Sequence, residues 1–303
     1  MTVLKVSLFG SFQFENSSSD HARLTSTIQA FLAFLLLNRH RTYPRDVLAG
    51  LFWETNDPKS ARNCLNTAIW RLRKNLEPVG TPPGTFLTTT VDGEIGFNAY
   101  SDYWLDVAEF EEVVKPFAAK PDLVEENLPA GTFQKLESTL HLYKGDLLEG
   151  QYADWALRER ERFRLMHINS LCCLARYFFQ QGAFPKTIFY CQQLLGFDPL
   201  REEVHRLLMR SYLENGERTM AVRQYQACQV ALLGELGIQP MEETTALYNQ
   251  ILGQQPDLQK SSQTMDLDYA IDELKLAMRT YEQARVHAQR ALTIVEKMRK
   301  KSL

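Results

Sequence analysis

Residues 3–14, VLKVSLFGSFQF, alternate apolar and polar side chains, and a turn-rich stretch follows at 15–20. That period of two, with β-branched and aromatic content, predicts one or two N-terminal strands. From residue 25 the period becomes helical. Thr25 stands at a cap position, Ile28, Phe31, Leu32 and Leu35 recur at spacings of three and four, and the pattern ends near Asn38. A second, short helix starts at about Pro44 and is expected to bury Val47, Leu48, Leu51 and Phe52. The third is the best marked: Asp57 suits an N-cap, Pro58 suits the first helical position, and Ala61, Leu65, Ile69, Leu72 and Leu76 form one apolar stripe. Further on, residues 86–97 set Asp92-Gly93 between two short β-like runs, which predicts a hairpin with a two-residue turn.

From Asp106 to about Leu252 nearly everything reads as helix broken by short turns rich in Gly, Pro and Asn. Self-comparison gives a period of 34 residues, with Gln181-Gly182 aligning with Asn215-Gly216, Phe178 with Tyr212 and Leu174 with Leu208. That is the tetratricopeptide period, in which paired antiparallel helices stack on their neighbours. Residues 253–264 read as a linker. Beyond it a long helix is expected over about 266–300, with Leu267, Ile271, Leu274, Met278 and Tyr281 near heptad spacing. Such a seam serves either to pair with a second copy or to cap the array. The fold class is therefore mostly α: an N-terminal α+β part of strands, three helices and a hairpin over 1–100, an all-α tetratricopeptide-like array over 101–254, and a linker with a C-terminal amphipathic helix over 255–303.

Composition narrows the classes. With 45% hydrophobic and 23% charged residues the chain is an ordinary globular protein, and its apolar runs are too short to span a membrane. Five cysteines without a C-x-x-C pair fit reduced cytoplasmic thiols. The six histidines never pair at metal-ligand spacing, and no phosphate-binding loop or hydrolase nucleophile elbow is present, so no enzyme, cofactor or metal is expected. The run at 158–164, RERERFR, reads as a solvated helix face with internally paired charges.

Net charge is −3, so attraction to nucleic acid has to come from local clustering. One cluster stands out: residues 58–76 hold Lys59, Arg62, Arg71, Arg73 and Lys74 with no acid among them. On a helix whose stripe is 61/65/69/72/76, Asn63, Asn66, Thr67, Trp70, Arg71 and Lys74 turn towards the outside or its flanks. Asn and Arg carry the paired groups that read adenine and guanine edges in a major groove, and Lys and Arg neutralise phosphates. Trp70 suits either of two roles, packing on the hairpin or on Phe52 and Trp53, or contact with sugar and base.

Residues 44–76, PRDVLAGLFW and then SARNCLNTAIWRLRKNL, resemble the winged-helix DNA-binding domain of the SARP-type (antibiotic-regulatory-protein) activators, itself similar to the output domain of response regulators. Residues 102–252 resemble the bacterial transcriptional activator domain that follows it, at LYKGDLLEG, YADWALRERERF, DPLREEVHRLLMRSYLENGERTMAVRQY and LGIQP. The resemblance implies a cytoplasmic regulator whose third helix enters the major groove while the hairpin lies along the minor groove. It makes Asn63, Thr67, Trp70, Arg71, Arg73 and Lys74 candidate DNA contacts. The hairpin tip Asp92-Gly93-Glu94 is acidic where a wing would offer a base, which shifts backbone contact to Thr88, Thr89 and Thr90. The partners implied are double-stranded promoter DNA, RNA polymerase and a second copy of the chain through the C-terminal helix. An adaptor that binds protein through its repeats, with a degenerate winged helix, is the competing expectation.

Overall fold

The computed structural model describes residues 4–15, 24–53, 57–77, 80–119 and 131–253. The C-terminal helix expected over 266–300 lies outside them. Two small sheets and a series of helices make up the described chain. Strand β1 (Leu4–Ser7) is central in the first sheet, antiparallel to β2 (Gln13–Glu15) and parallel to β6 (Tyr103–Leu105). The second sheet runs β3 (Thr42–Tyr43), β5 (Ile95–Phe97), β4 (Leu87–Thr89), all antiparallel. Along the chain α1 (Ser26–Leu37) precedes β3, and α2 (Arg45–Phe52) and α3 (Pro58–Leu76) lie between β3 and β4. Alternation in β1 buries Leu4 and Val6 and turns Lys5 to solvent.

Local sequence explains α3. The Asp57 carboxylate accepts from the N–H groups of Lys59 and Ser60, Pro58 occupies the first turn where no N–H is needed, and the five stripe residues are all buried. The second helix departs from expectation. Leu48 is buried and Phe52 packs on the core, but Val47 and Leu51 are 52% and 41% exposed. An eight-residue helix offers the core one narrow face, and these two sit one residue round from it. The hairpin turn differs too. Gly93 N–H donates to the Thr90 carbonyl and Thr90 N–H to the Glu94 carbonyl, with Gly93 at φ 82°. Only the glycine is left-handed, so the loop is a turn closed by a glycine bulge; a two-residue type I′ turn would also need Asp92 there.

The helical part comprises α4 (Asp106–Ala119), α5 (Thr132–Leu140), α6 (Asp154–Gln180), α7 (Phe184–Phe197), α8 (Glu202–Glu214), α9 (Arg218–Leu236) and α10 (Glu242–Ile251). The ends of α6 and α8, at 180 and 214, and the starts of α7 and α9, at 184 and 218, repeat the 34-residue spacing. Both turns close alike: Ala183 N–H donates to the Phe178 carbonyl and Glu217 N–H to that of Tyr212, around Gly182 and Gly216 at positive φ.

A seam joins this array to the first sheet. The buried Asp106 carboxylate accepts from the N–H groups of Leu8, Phe9 and Val107, although burial still pushes its pKa up. Leu148 N–H donates to the Leu8 carbonyl, Glu149 N–H to that of Gly10, and Gly10 N–H to that of Asp146. Leu148 is buried at φ 50°, a left-handed conformation a leucine keeps only when neighbours hold it. Arg160 does so, donating to the carbonyls of Leu147, Leu148 and Gln151 at 2.7–2.9 Å. Arg162 reaches Glu111, which also faces Arg39 at the end of α1, and Arg164 reaches the Phe197 carbonyl. The reading of 158–164 as a solvated, internally paired face holds in part: Arg162 pairs with Glu159 and Arg164 with Glu161 within the helix, but Arg160, Arg162 and Arg164 also reach other elements. Spacing shows which charges can pair within a helix but not which loop carbonyls a fold will bring beside them.

Candidate nucleic-acid interface

The outer face of α3 carries Asn63, Asn66, Thr67, Arg71 and Lys74, all exposed, and Trp70 at 61% exposure. Trp70 is exposed, and among the described residues no ring pair joins it to Phe52 or Trp53. Instead the Lys74 ammonium lies 5.6 Å from its ring centroid, one helical turn on, so the indole holds a cation over its face. The Thr67 hydroxyl donates to the Asn63 carbonyl at 3.0 Å, which fixes its rotamer. Arg71 is exposed and, among the described residues, its guanidinium has no partner.

Arg73 lies apart from this group. It is half-buried and donates to the Thr89 hydroxyl at 3.0 Å, tying the last turns of α3 to β4, while its Nε is buried without a partner among the described residues. The three threonines of the hairpin serve the hairpin itself in this structure. Thr88 donates to the Gly96 carbonyl at 3.3 Å, Thr89 receives Arg73, and the Thr90 hydroxyl accepts from Glu94 N–H at 3.1 Å. Of these, Thr89 alone is exposed.

Two neighbouring residues of α2 that the sequence reading did not single out, Arg45 and Asp46, tie it to α3, and Arg45 also reaches the hairpin. Arg45, at the start of α2, donates through Nε to the Gly93 carbonyl at 3.2 Å and through Nη1 to Asn66 Oδ1 at 2.7 Å. An arginine only donates, so Asn66 must present its oxygen to Arg45 and keep its amide N–H groups for other partners. Beside it Asp46 takes a two-point bond from Arg62 at 2.6 and 2.7 Å, and that guanidinium holds the carboxyl below its usual range. Thr42 donates to Glu94, so one acid of the hairpin tip has a structural partner, whereas Asp92 is exposed. A signal existed in Arg45, the one cation of 44–76 outside α3, but hairpin and α2 are some fifty residues apart and their meeting is not written in local spacing.

The arrangement is a convex helix bearing amides, hydroxyls and cations with no acid, flanked by a β-hairpin whose tip is buttressed from α2. Residues 19–93 match the family described as transcriptional regulatory protein, C terminal, and residues 105–252 match the bacterial transcriptional activator domain. The transcriptional regulatory protein MoaR1 of Mycobacterium tuberculosis is 29% identical over 238 residues, 75% of this chain and 72% of that one. The transcriptional regulator RedD of Streptomyces coelicolor is 25% identical over 273 residues, 88% of this chain and 75% of its own. The regulatory protein AfsR of the same species is 26% identical over 77% of this chain but only 23% of AfsR. Among solved structures, Mycobacterium tuberculosis EmbR in complex with a low-affinity phosphopeptide superposes with a TM-score of 0.60 at 24% identity, over 84% of this chain and 66% of that one. At that identity the likeness is one of fold.

Proposed function

The chain belongs to the SARP-type transcriptional regulators, DNA-binding proteins in which a winged helix precedes a bacterial transcriptional activator domain, and on that premise we propose that α3 is the recognition helix. In this reading α3 lies in the major groove of promoter DNA. Asn63, Asn66, Thr67 and Arg71 face base edges, and Lys74, carried on Trp70, neutralises a phosphate. Arg73 and Thr89 hold the hairpin against the helix, Thr88 and Thr90 brace the hairpin from within, and Thr89 is the one of the three placed to meet the backbone. The single observation that supports this most is the acid-free outer face of α3, whose Arg71 is exposed and unpaired among the described residues.

The division of labour is 1–100 for DNA, 101–254 for contact with RNA polymerase, and 255–303 for pairing two copies, in the cytoplasm where promoters are. Among the described residues no helix is long and apolar enough to cross a membrane. Selection of bound duplexes from a random DNA pool, with the full chain as bait, tests the reading. Enrichment of a single motif is expected; a pool that enriches nothing would favour the adaptor.

A further inference from the structure

The segment 142–150, LYKGDLLEG, does more than stitch the array to the first sheet. Its outer side, with α5, α6 and α7, walls a cavity of about 750 Å³, within the range of small-molecule sites. The floor is aromatic. His167 lies flat on Tyr143 at 4.2 Å and 10°, with Phe197 edge-on at 5.5 Å. His167 is buried, and its Nδ1 has no hydrogen-bond partner among the described residues. Burial holds the ring neutral by lowering its pKa to about 4, so the floor sets no positive charge against a cation.

The rim is acidic on balance. Glu137 is already engaged with Lys186 and Tyr190, which leaves Asp146 and Glu149 facing the single Lys144. Asp146 accepts from the Tyr143 hydroxyl at 2.7 Å through one oxygen, and Glu149 is exposed at the mouth. Asp146 and Glu149 thus set two carboxylates against Lys144, with His141 and Gln193 beside them, and the exposed ring of Phe189 in the lining adds an aromatic surface that attracts cations. We infer that this cavity binds a small organic cation, an amine carried on a planar apolar body, and that its occupancy is felt by the winged helix.

The route is short. The Asp146 that borders the cavity gives its carbonyl to Gly10 N–H, Glu149 gives its N–H to the Gly10 carbonyl, and Leu148 between them is held at φ 50° against Leu8. A ligand that draws the Asp146 and Glu149 side chains inward therefore acts directly on the segment paired with the end of β1. The coupling, though not the site, rests on the DNA-binding reading above.

Titration calorimetry of the full chain with tryptamine, and with indole-3-propionate as the same ring bearing the opposite charge, tests the site. Tryptamine should bind with a Kd of about 1 mM or tighter, as befits a ligand of this size, and indole-3-propionate at least about tenfold more weakly. Glu149→Gln, an exposed change that leaves the fold intact, and Asp146→Asn, which still accepts from Tyr143, should each weaken tryptamine about fivefold through loss of a charge-assisted bond. No heat with tryptamine, equal binding of both probes, or unchanged binding in both variants would overturn the site. Saturating tryptamine should also shift the affinity for the selected duplex by about fivefold, the low end of ordinary coupling between sites. An unmoved duplex affinity would overturn the coupling. A chain that binds tryptamine and no duplex at all would instead overturn the DNA reading and leave the cavity's assignment standing.

Discussion

His167 shows how one buried side chain sets a pH limit on the whole chain. Buried and stacked on Tyr143, it stays neutral in the folded state down to about pH 4, whereas the unfolded ring takes its proton near its ordinary value of 6.5. The unfolded state therefore binds the proton first, and the stability this group supplies is complete above pH 6.5 and lost as pH falls from there to about 4. At pH 5 the loss amounts to about 2 kcal/mol relative to pH 7. Urea unfolding at the two pH values should show that drop in the native chain and a clearly smaller one in His167→Phe, which keeps the stack and cannot titrate. Equal drops in both would mean that other groups carry the pH dependence. Neither the stack nor the burial is visible in the sequence, where His167 is one of six scattered histidines.

The elements divide by how local their causes are. Helix α3 is legible to the residue because Asp57, Pro58 and its stripe lie within it. Strand β6 is not, because three residues after a loop become a strand only by pairing in parallel with β1 about a hundred residues earlier. The hairpin lies between these cases: its strands were readable, its bulged turn and its buttress on Arg45 were not. Its tip also holds two acids in different positions, Glu94 bonded to Thr42 and Asp92 in solvent. If the hairpin follows a DNA backbone, Asp92→Lys should tighten non-specific binding by removing a repelling charge and adding an attracting one, an effect that fades with salt. Glu94→Lys should gain less, since it also breaks the bond that steadies the tip. Binding curves on unrelated duplexes at two salt concentrations would check this, and equal affinity for native and Asp92→Lys chains would put the tip away from the DNA.

At the scale of the molecule, the winged helix and the array share a seam of backbone bonds, the carboxylate of Asp106 and the guanidinium of Arg160, so what happens in one has a path to the other. The apolar seam of residues 266–300 adds an expectation about assembly: pairing would set two winged helices together and raise operator affinity through effective concentration, without new base contacts. Sedimentation of the full chain should then show a dimer at micromolar concentration, and a chain ending at Gly253 a monomer. A monomeric full chain with a destabilised truncation would make the segment a cap. The central claim, that the outer face of α3 reads DNA, is tested most directly by the salt dependence of binding to the selected duplex in Arg71→Ala and Lys74→Ala. Arg71→Ala should lose about 1–3 kcal/mol of discrimination between the selected duplex and a mutated one. Lys74→Ala should weaken both duplexes alike and flatten the slope of log affinity against log salt by about one phosphate contact. Two folded variants with native affinity, discrimination and slope would contradict the assignment of α3 as the recognition helix.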